Sequence, residues 1–149
     1  MKEAIQTLIT SDKMAHAFEY LKQDEEHTID QQIELVQISS FSPFEEKRAI
    51  RFKELLTEAG LDPVMDEVHN VYAHIHGTGN GPTLYVSAHL DTVFPPETPL
   101  PVKREGTKIY APGIGDDTRG LAEILTLARA IKESGLKPVG DIIIGGNVG

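Results

Sequence analysis

The sequence predicts an α/β fold in which a mixed sheet is flanked by helices. Three observations carry that expectation. Apolar residues recur at helical spacing from Met14 to Ala59, the period changes to strand-like runs from Val64, and two apolar strands later bracket an amphipathic helix. Strand, helix, strand with both strands apolar is a βαβ unit, and its crossover is expected to be right-handed.

Met14, Phe18 and Leu21 fall on one helical face, and Ile29, Ile33 and Val36 on the next. Thr28 with Gln31 reads as a capping box at the start of the second of these helices. Ser42-Pro43-Phe44-Glu45 reads as another helix start, with Ser42 as cap, Pro43 at the first helical position and Glu45 reaching back. That helix puts Ala49, Phe52, Leu56 and Ala59 on one face, and Gly60 suits a left-handed stop. Residues 64–68 and 71–75 then read as short strands around His69-Asn70.

The cluster Gly77-Thr78-Gly79-Asn80-Gly81-Pro82 reads as a turn. Its glycines resemble a phosphate loop, but no Gly-Lys-Ser/Thr follows and no helix opens there, which disfavours a phosphate- or nucleotide-binding domain. Residues 83–88 form a nearly continuous apolar run, expected as a buried, central strand. Pro95, Pro96, Pro99 and Pro101 break regular structure, and residues 102–110 fit a hairpin turning at Glu105-Gly106. After Gly113-Ile114-Gly115 comes a helix with Leu121, Ile124, Leu125, Ala128 and Ile131 on one face, ended by Gly135 and Pro138. Asp141-Ile142-Ile143-Ile144 is expected as a second buried strand.

A chain of 149 residues suits one domain with a sizeable core. The absence of cysteine excludes a disulfide framework, a thiolate nucleophile and thiolate metal ligands, so any metal must be held by His, Asp or Glu. A formal net charge of -9 opposes binding to nucleic acid. No apolar run approaches the ~20 residues of a membrane helix. Met1-Lys2-Glu3-Ala4-Ile5 lacks the basic region and apolar stretch of a signal peptide, so a cytoplasmic location without a membrane partner is expected.

Six histidines are candidates for chemistry. His16 and His27 lack a carboxylate partner at metal-ligand spacing, and His69 sits in a turn. His74 and His76 are two apart and could share a strand face, but no acidic residue stands near them in the sequence. All five read as solvated or structural. His89 follows an apolar strand directly, with Asp91 two residues on. Reacting groups in open α/β sheets gather beyond the carboxyl ends of strands. An imidazole there can bind a metal, and a nearby carboxylate can orient it.

The second constellation is Gly113-Ile114-Gly115-Asp116-Asp117-Thr118-Arg119-Gly120. One Asp before a helix is accounted for by capping and the helix dipole. The pair, hemmed by glycines, suits a loop that aims a carboxylate at a fixed point. An Asp can bridge two cations ~3.5–4 Å apart, as in paired-metal hydrolysis. Ligands drawn only from His, Asp and Glu suit zinc, manganese or cobalt.

On these residues the chain resembles the co-catalytic zinc peptidases that include peptidase T, the aminoacylases, carboxypeptidase G and succinyl-diaminopimelate desuccinylase. Three stretches carry the resemblance: Ser87-Ala88-His89-Leu90-Asp91-Thr92-Val93, Tyr110-Ala111-Pro112-Gly113-Ile114-Gly115-Asp116-Asp117, and Gly120-Leu121-Ala122. The wording around Asp116 leans toward peptidase T. Where many members have Lys-Gly after the Asp pair, this chain has Thr118-Arg119, which puts in doubt any substrate role of that lysine.

The resemblance implies a zinc-exopeptidase-like (phosphorylase/hydrolase-like) catalytic domain, of which residues 1–149 would be the N-terminal part. A lid or dimerisation domain, two consecutive glutamates (general base, then ligand) and further ligands would lie beyond it. It implies two zinc ions, with manganese or cobalt as alternatives. His89 would ligate one ion, Asp116 would bridge both, and Asp91 would serve catalysis by orienting His89. It further implies a cis Asp116–Asp117 peptide bond. Substrates would be small peptides or N-acyl amino acids, acted on by a peptidase, deacylase or desuccinylase, with a homodimer formed by the complete protein. The rival from another class is a metal-free binding module of the same fold, which metal content would distinguish.

Overall fold

The computed structural model describes residues 2–149, and Met1, where the N-terminal reading begins, lies outside them. Four helices come first: α1 (Lys2–Ile9), α2 (Asp12–Gln23), α3 (Glu25–Val36) and α4 (Glu46–Glu58). Strands β1 (Val64–Met65), β2 (Val71–Ile75) and β3 (Leu84–His89) follow. A small hairpin of β4 (Lys103–Glu105) and β5 (Lys108–Tyr110) then precedes α5 (Thr118–Ser134) and β6 (Ile142–Asn147). The main sheet has the order β1-β2-β6-β3. Its β3–β6 pair is parallel, and β2 is antiparallel to both neighbours, so the sheet is mixed as expected. No described helix is long and apolar enough to cross a membrane.

The alternation of strand side chains decides where the core lies. Val71, Ala73, Ala88 and Ile144 are buried on one face, where they meet Phe52, Leu55 and Leu56 of α4 and Leu121, Leu125 and Ala128 of α5. The helical faces read from spacing in α4 and α5 are therefore the faces that pack on the sheet. Gly146 lies in this layer, and a Cβ there would come 2.9 Å from the Phe52 ring and 3.2 Å from Leu90. A glycine at that point lets α4 and the 90s segment close over β6. Gly60 and Gly135 take positive φ (82° and 63°) just past α4 and α5, the left-handed stops their positions suggest.

Four local expectations are corrected. The capping box at Thr28 is absent because α3 begins a turn earlier, after Asp24. Thr28 instead donates its hydroxyl to the Asp24 carbonyl and lies 2.5 Å from the Thr126 hydroxyl of α5, while Gln31 turns toward Arg129. Ser42 and Pro43 do not open α4, which starts at Glu46 without a side-chain cap. They lie in a turn closed by the Phe44 N–H on the Phe41 carbonyl at 2.6 Å, with a cis Ser42–Pro43 bond.

The strand expected over 64–68 stops at Met65. Asp66 folds the chain by accepting the Val68 and Asn70 N–H groups at 3.0 and 2.9 Å. Among the described residues the strand expected to be central, β3, pairs with β6 alone and leaves Leu84 and Tyr85 exposed, while β6 has a neighbour on each side. An apolar run reports a strand that can be covered on both faces; which strands cover it depends on non-local pairing.

Candidate active site

β3 ends at His89 and α5 begins at Thr118, and Asp117 joins the two ends. Its Oδ1 accepts the Gly120 N–H at 3.1 Å, capping α5, and its Oδ2 accepts the His89 N–H at 3.2 Å. The residue before it, Asp116, is thereby held beyond the strand end. Its Oδ1 lies 2.8 Å from His89 Nε2, while its side chain stays 90% exposed. The Asp116–Asp117 peptide is cis, as the resemblance implies. Thr118 donates its hydroxyl to the carbonyls of Gly113 and Ile114 at 3.0 and 3.1 Å, which draws the glycine loop against the helix start.

On the other side of the ring, His89 Nδ1 lies 3.0 Å from the Asp91 carbonyl oxygen and 3.2 Å from Asp91 Oδ1. Acceptors on both sides of the ring favour the imidazolium, with Nδ1–H toward Asp91 and Nε2–H toward Asp116, and a cation that displaced the Nε2 proton would leave the Nδ1–H held by Asp91. Partial burial works against the charged imidazole, but the Asp116 hydrogen bond and the Asp91 and Asp117 charges outweigh it, and the His89 pKa is raised. His89, Asp91, Phe94, Ile114 and Asp116 help line a cleft of about 250 Å³.

The structure thus brings together all three candidate residues, His89, Asp91 and Asp116. It also shows a residue that sequence reasoning missed. Arg48 is fully buried and donates to the Leu90 carbonyl at 2.8 Å and to the Ile38 carbonyl at 2.7 and 3.2 Å. Ser40 donates to the same Leu90 carbonyl at 2.7 Å. Burial pulls the Arg48 pKa down to about 10, against the opposing effect of the Asp91 charge. Arg48 therefore fixes the backbone between His89 and Asp91 from beneath. The available signal was its position four residues before Phe52, on the apolar face of α4.

Two of the histidines set aside have carboxylate partners after all. His27 Nδ1 is 3.2 Å from Asp24 Oδ1, and His69 Nε2 is 3.9 Å from Glu46 Oε1. His74 and His76 meet Asp141, the residue before β6, far from His89. Among the described residues that trio is the one group in which three His or carboxylate ligand atoms converge.

Residues 85–148 match the model of Peptidase family M20/M25/M40. Over 77 residues the chain is 38% identical to carboxypeptidase G2 of Pseudomonas sp., which covers 50% of this chain and 18% of that protein. A tripeptidase from Staphylococcus aureus superposes with a TM-score of 0.69 at 31% identity, over 84% of this chain and 36% of that one. Aminopeptidase PepT from Bacillus cereus superposes with a TM-score of 0.70 at 26% identity, over 83% of this chain and 36% of that one. The matched segment runs from β3 through the Asp116–Asp117 turn to β6, so over the stretch that carries the motifs the chain is similar to Peptidase family M20/M25/M40, as the resemblance read from the sequence has it.

Proposed function

We propose that residues 1–149 form the N-terminal part of the catalytic domain of a metal-dependent hydrolase that cleaves amide bonds in small peptides. The observation that carries the reading is the convergence of His89 Nε2 and Asp116 Oδ1 at 2.8 Å on the cleft mouth, with Asp91 behind the imidazole. The donor set fits zinc: an imidazole nitrogen whose proton a cation would displace, an exposed carboxylate beside it, and an acceptor holding the other ring nitrogen. In this reading His89 and Asp116 would hold the metal, His89 as a ligand of one ion and Asp116 as a ligand common to both, and further ligands and the general-base glutamate would come from outside residues 1–149. A pair of such ions, when bound, polarises the scissile carbonyl and acidifies water.

The chain's own contribution is positioning. Asp117 ties the strand end to the helix, Arg48 fixes Leu90, and Asp91 keeps the Nδ1 proton in place, so the His89 imidazole is held with Nε2 toward the exposed Asp116 carboxylate. Peptides are favoured over N-acyl amino acids because two structures similar over more than 80% of this chain are an aminopeptidase and a tripeptidase. The chain spans 36% of each of those two structures, and a lid or dimer-forming domain would belong to the remainder. A cytoplasmic setting suits a chain free of cysteine.

A protein that carries residues 1–149 together with those further ligands and the glutamate is expected to release amino acids from di- and tripeptides in the presence of zinc, manganese or cobalt, and to stop when the metal is chelated, whereas residues 1–149 alone are expected to be inactive. Assays against a matched panel of N-acetyl amino acids decide between peptidase and deacylase. A metal-free protein that turns over neither class would support the binding-module reading instead.

Asp91→Asn tests the positioning role. Loss of a carboxylate behind a ligating imidazole costs ~10–100-fold in metal affinity or activity. With saturating zinc the variant should retain most of its metal and lose turnover on that scale. Unchanged kcat would reduce Asp91 to a loop residue.

A further inference from the structure

At the far end of the sheet from His89, β2 leaves through His74 and His76. The register aligns His74 with Ile143 and, across β6, with Tyr85. Tyr85 stands four residues before His89, so ~3.3 Å per residue puts ~13 Å of strand between the two places. The imidazole rings of His74 and His76 lie 5.8 Å apart between centroids, tilted by 31°. Asp141, immediately before β6, comes up beside them. Its Oδ1 accepts the Gly77 N–H at 2.8 Å, which turns Oδ2 toward His76 Nδ1 at 4.0 Å. One ligand atom from each of the three residues lies within 4.8 Å of the others.

The backbone around this trio is held firmly. Thr78 and Gly79 donate their N–H groups to the carbonyls of Pro138 and Val139, both at 2.9 Å, and Leu84 donates to the Asp141 carbonyl at 2.9 Å. A Cβ on Gly77 would fall 2.5 Å from the Gly140 backbone. The glycines that resemble a phosphate loop therefore serve a backbone-to-backbone clasp between the exit of β2 and the entry of β6. That clasp fixes Asp141 against His76.

We propose that His74, His76 and Asp141 form a second divalent-cation site, separate from the His89–Asp116 pair and independent of it. Two imidazoles and one carboxylate suit a borderline ion such as zinc, whereas calcium and magnesium call for oxygen-rich shells. Zinc bonds of ~2.0–2.2 Å put tetrahedral ligand atoms ~3.4 Å apart. The 4.0 Å between His76 and Asp141 closes to that distance through side-chain rotation alone, since the His76 side chain is 81% exposed. Water completes the shell. An ion there cross-links the clasp, and its binding is a stabilising event on the sheet remote from the cleft.

The test is a zinc titration of the protein, followed by imidazole nitrogen NMR about one pH unit above the ordinary histidine pKa of ~6.5. Saturable shifts of both the His74 and His76 signals are expected, with no response to magnesium. His76→Ala, at an exposed position, should abolish the His74 response. Asp141→Asn keeps an acceptor for the Gly77 N–H and should weaken zinc at this site by about tenfold or more, since even an outer partner of a ligand is worth that much. His89 is a separate signal in the same spectrum, so the outcome at the cleft does not enter. His74 and His76 signals that stay fixed as zinc rises, or equal affinity in Asp141→Asn, would overturn the proposal.

Discussion

On the function proposed above, His89→Ala in a protein carrying the further ligands should lower bound zinc at the cleft from two ions toward one per chain, with amide hydrolysis lost alongside it. The imidazole presents a single ligand atom, Nε2, because Nδ1 is taken by the Asp91 carbonyl and carboxylate. Removing it would take one ligand from the proposed pair of ions and leave the Asp116 carboxylate in place. Loss of a direct ligand should exceed the ~10–100-fold penalty of losing a partner behind one. The fold should be nearly indifferent, since the side chain is 35% exposed and the backbone N–H that reaches Asp117 is retained. Elemental analysis after gel filtration, with the His74–His76–Asp141 group removed by His76→Ala in both proteins, gives the count. Two ions retained at full affinity would remove His89 from the ligand set.

What could be read from sequence and what could not divides along a physical line. The buried faces of α4 and α5 were legible because amphipathic spacing is a local property of the chain. The ends of the helices were less so. Thr28 and Gln31 have the wording of a cap, but Asp24 is claimed by an arginine on α5 over a hundred positions away, and the helix starts there instead. The strand at 84–89 was legible as a strand, but its place among residues 2–149 was not, because that place is set by pairing with β6, more than fifty residues further along the chain.

The site divides in the same way. His89, Asp91 and Asp116 lie in short motifs at a strand end and a helix start, positions with a chemical logic that sequence exposes. Arg48 does not announce itself, since a lone arginine on a helix face reads as solvated until the carbonyls of Ile38 and Leu90 are seen around it. His74 and His76 looked unpartnered for a related reason: strand register, not sequence, delivers Asp141 to them.

Asp24→Ala should cost about 3–5 kcal/mol of folding stability, the usual result of leaving a buried charge without its partner. Asp24 and Arg129 are each 8% exposed. Arg129 gives Nε and Nη2 to Asp24 Oδ2 at 2.9 and 2.5 Å, Nη1 to Gln31 at 2.7 Å, and a second Nη2 bond to Thr126 at 3.0 Å. Tyr20 donates to the other Asp24 oxygen at 3.3 Å. The carboxylate sits at the junction of α2 and α3, both of which pack on α5, so truncation strands a guanidinium in the seam that joins three helices. In urea the midpoint should drop by about 2 M for a slope near 2 kcal/mol per M. Replacing both partners, Asp24→Leu with Arg129→Met, should recover much of the loss, because a pair of apolar residues avoids the desolvation that the ion pair must offset. Recovery should stop short of complete, since Gln31 and Thr126 lose a donor. Arg129 lies twelve residues along α5 from Asp117, ~18 Å at 1.5 Å per residue. Zinc affinity at His89 and Asp116 in the folded double variant should therefore match that of the parent. A single Asp24→Ala variant with an unshifted midpoint would mean that the helical seam admits water to Arg129 and that the pair contributes little.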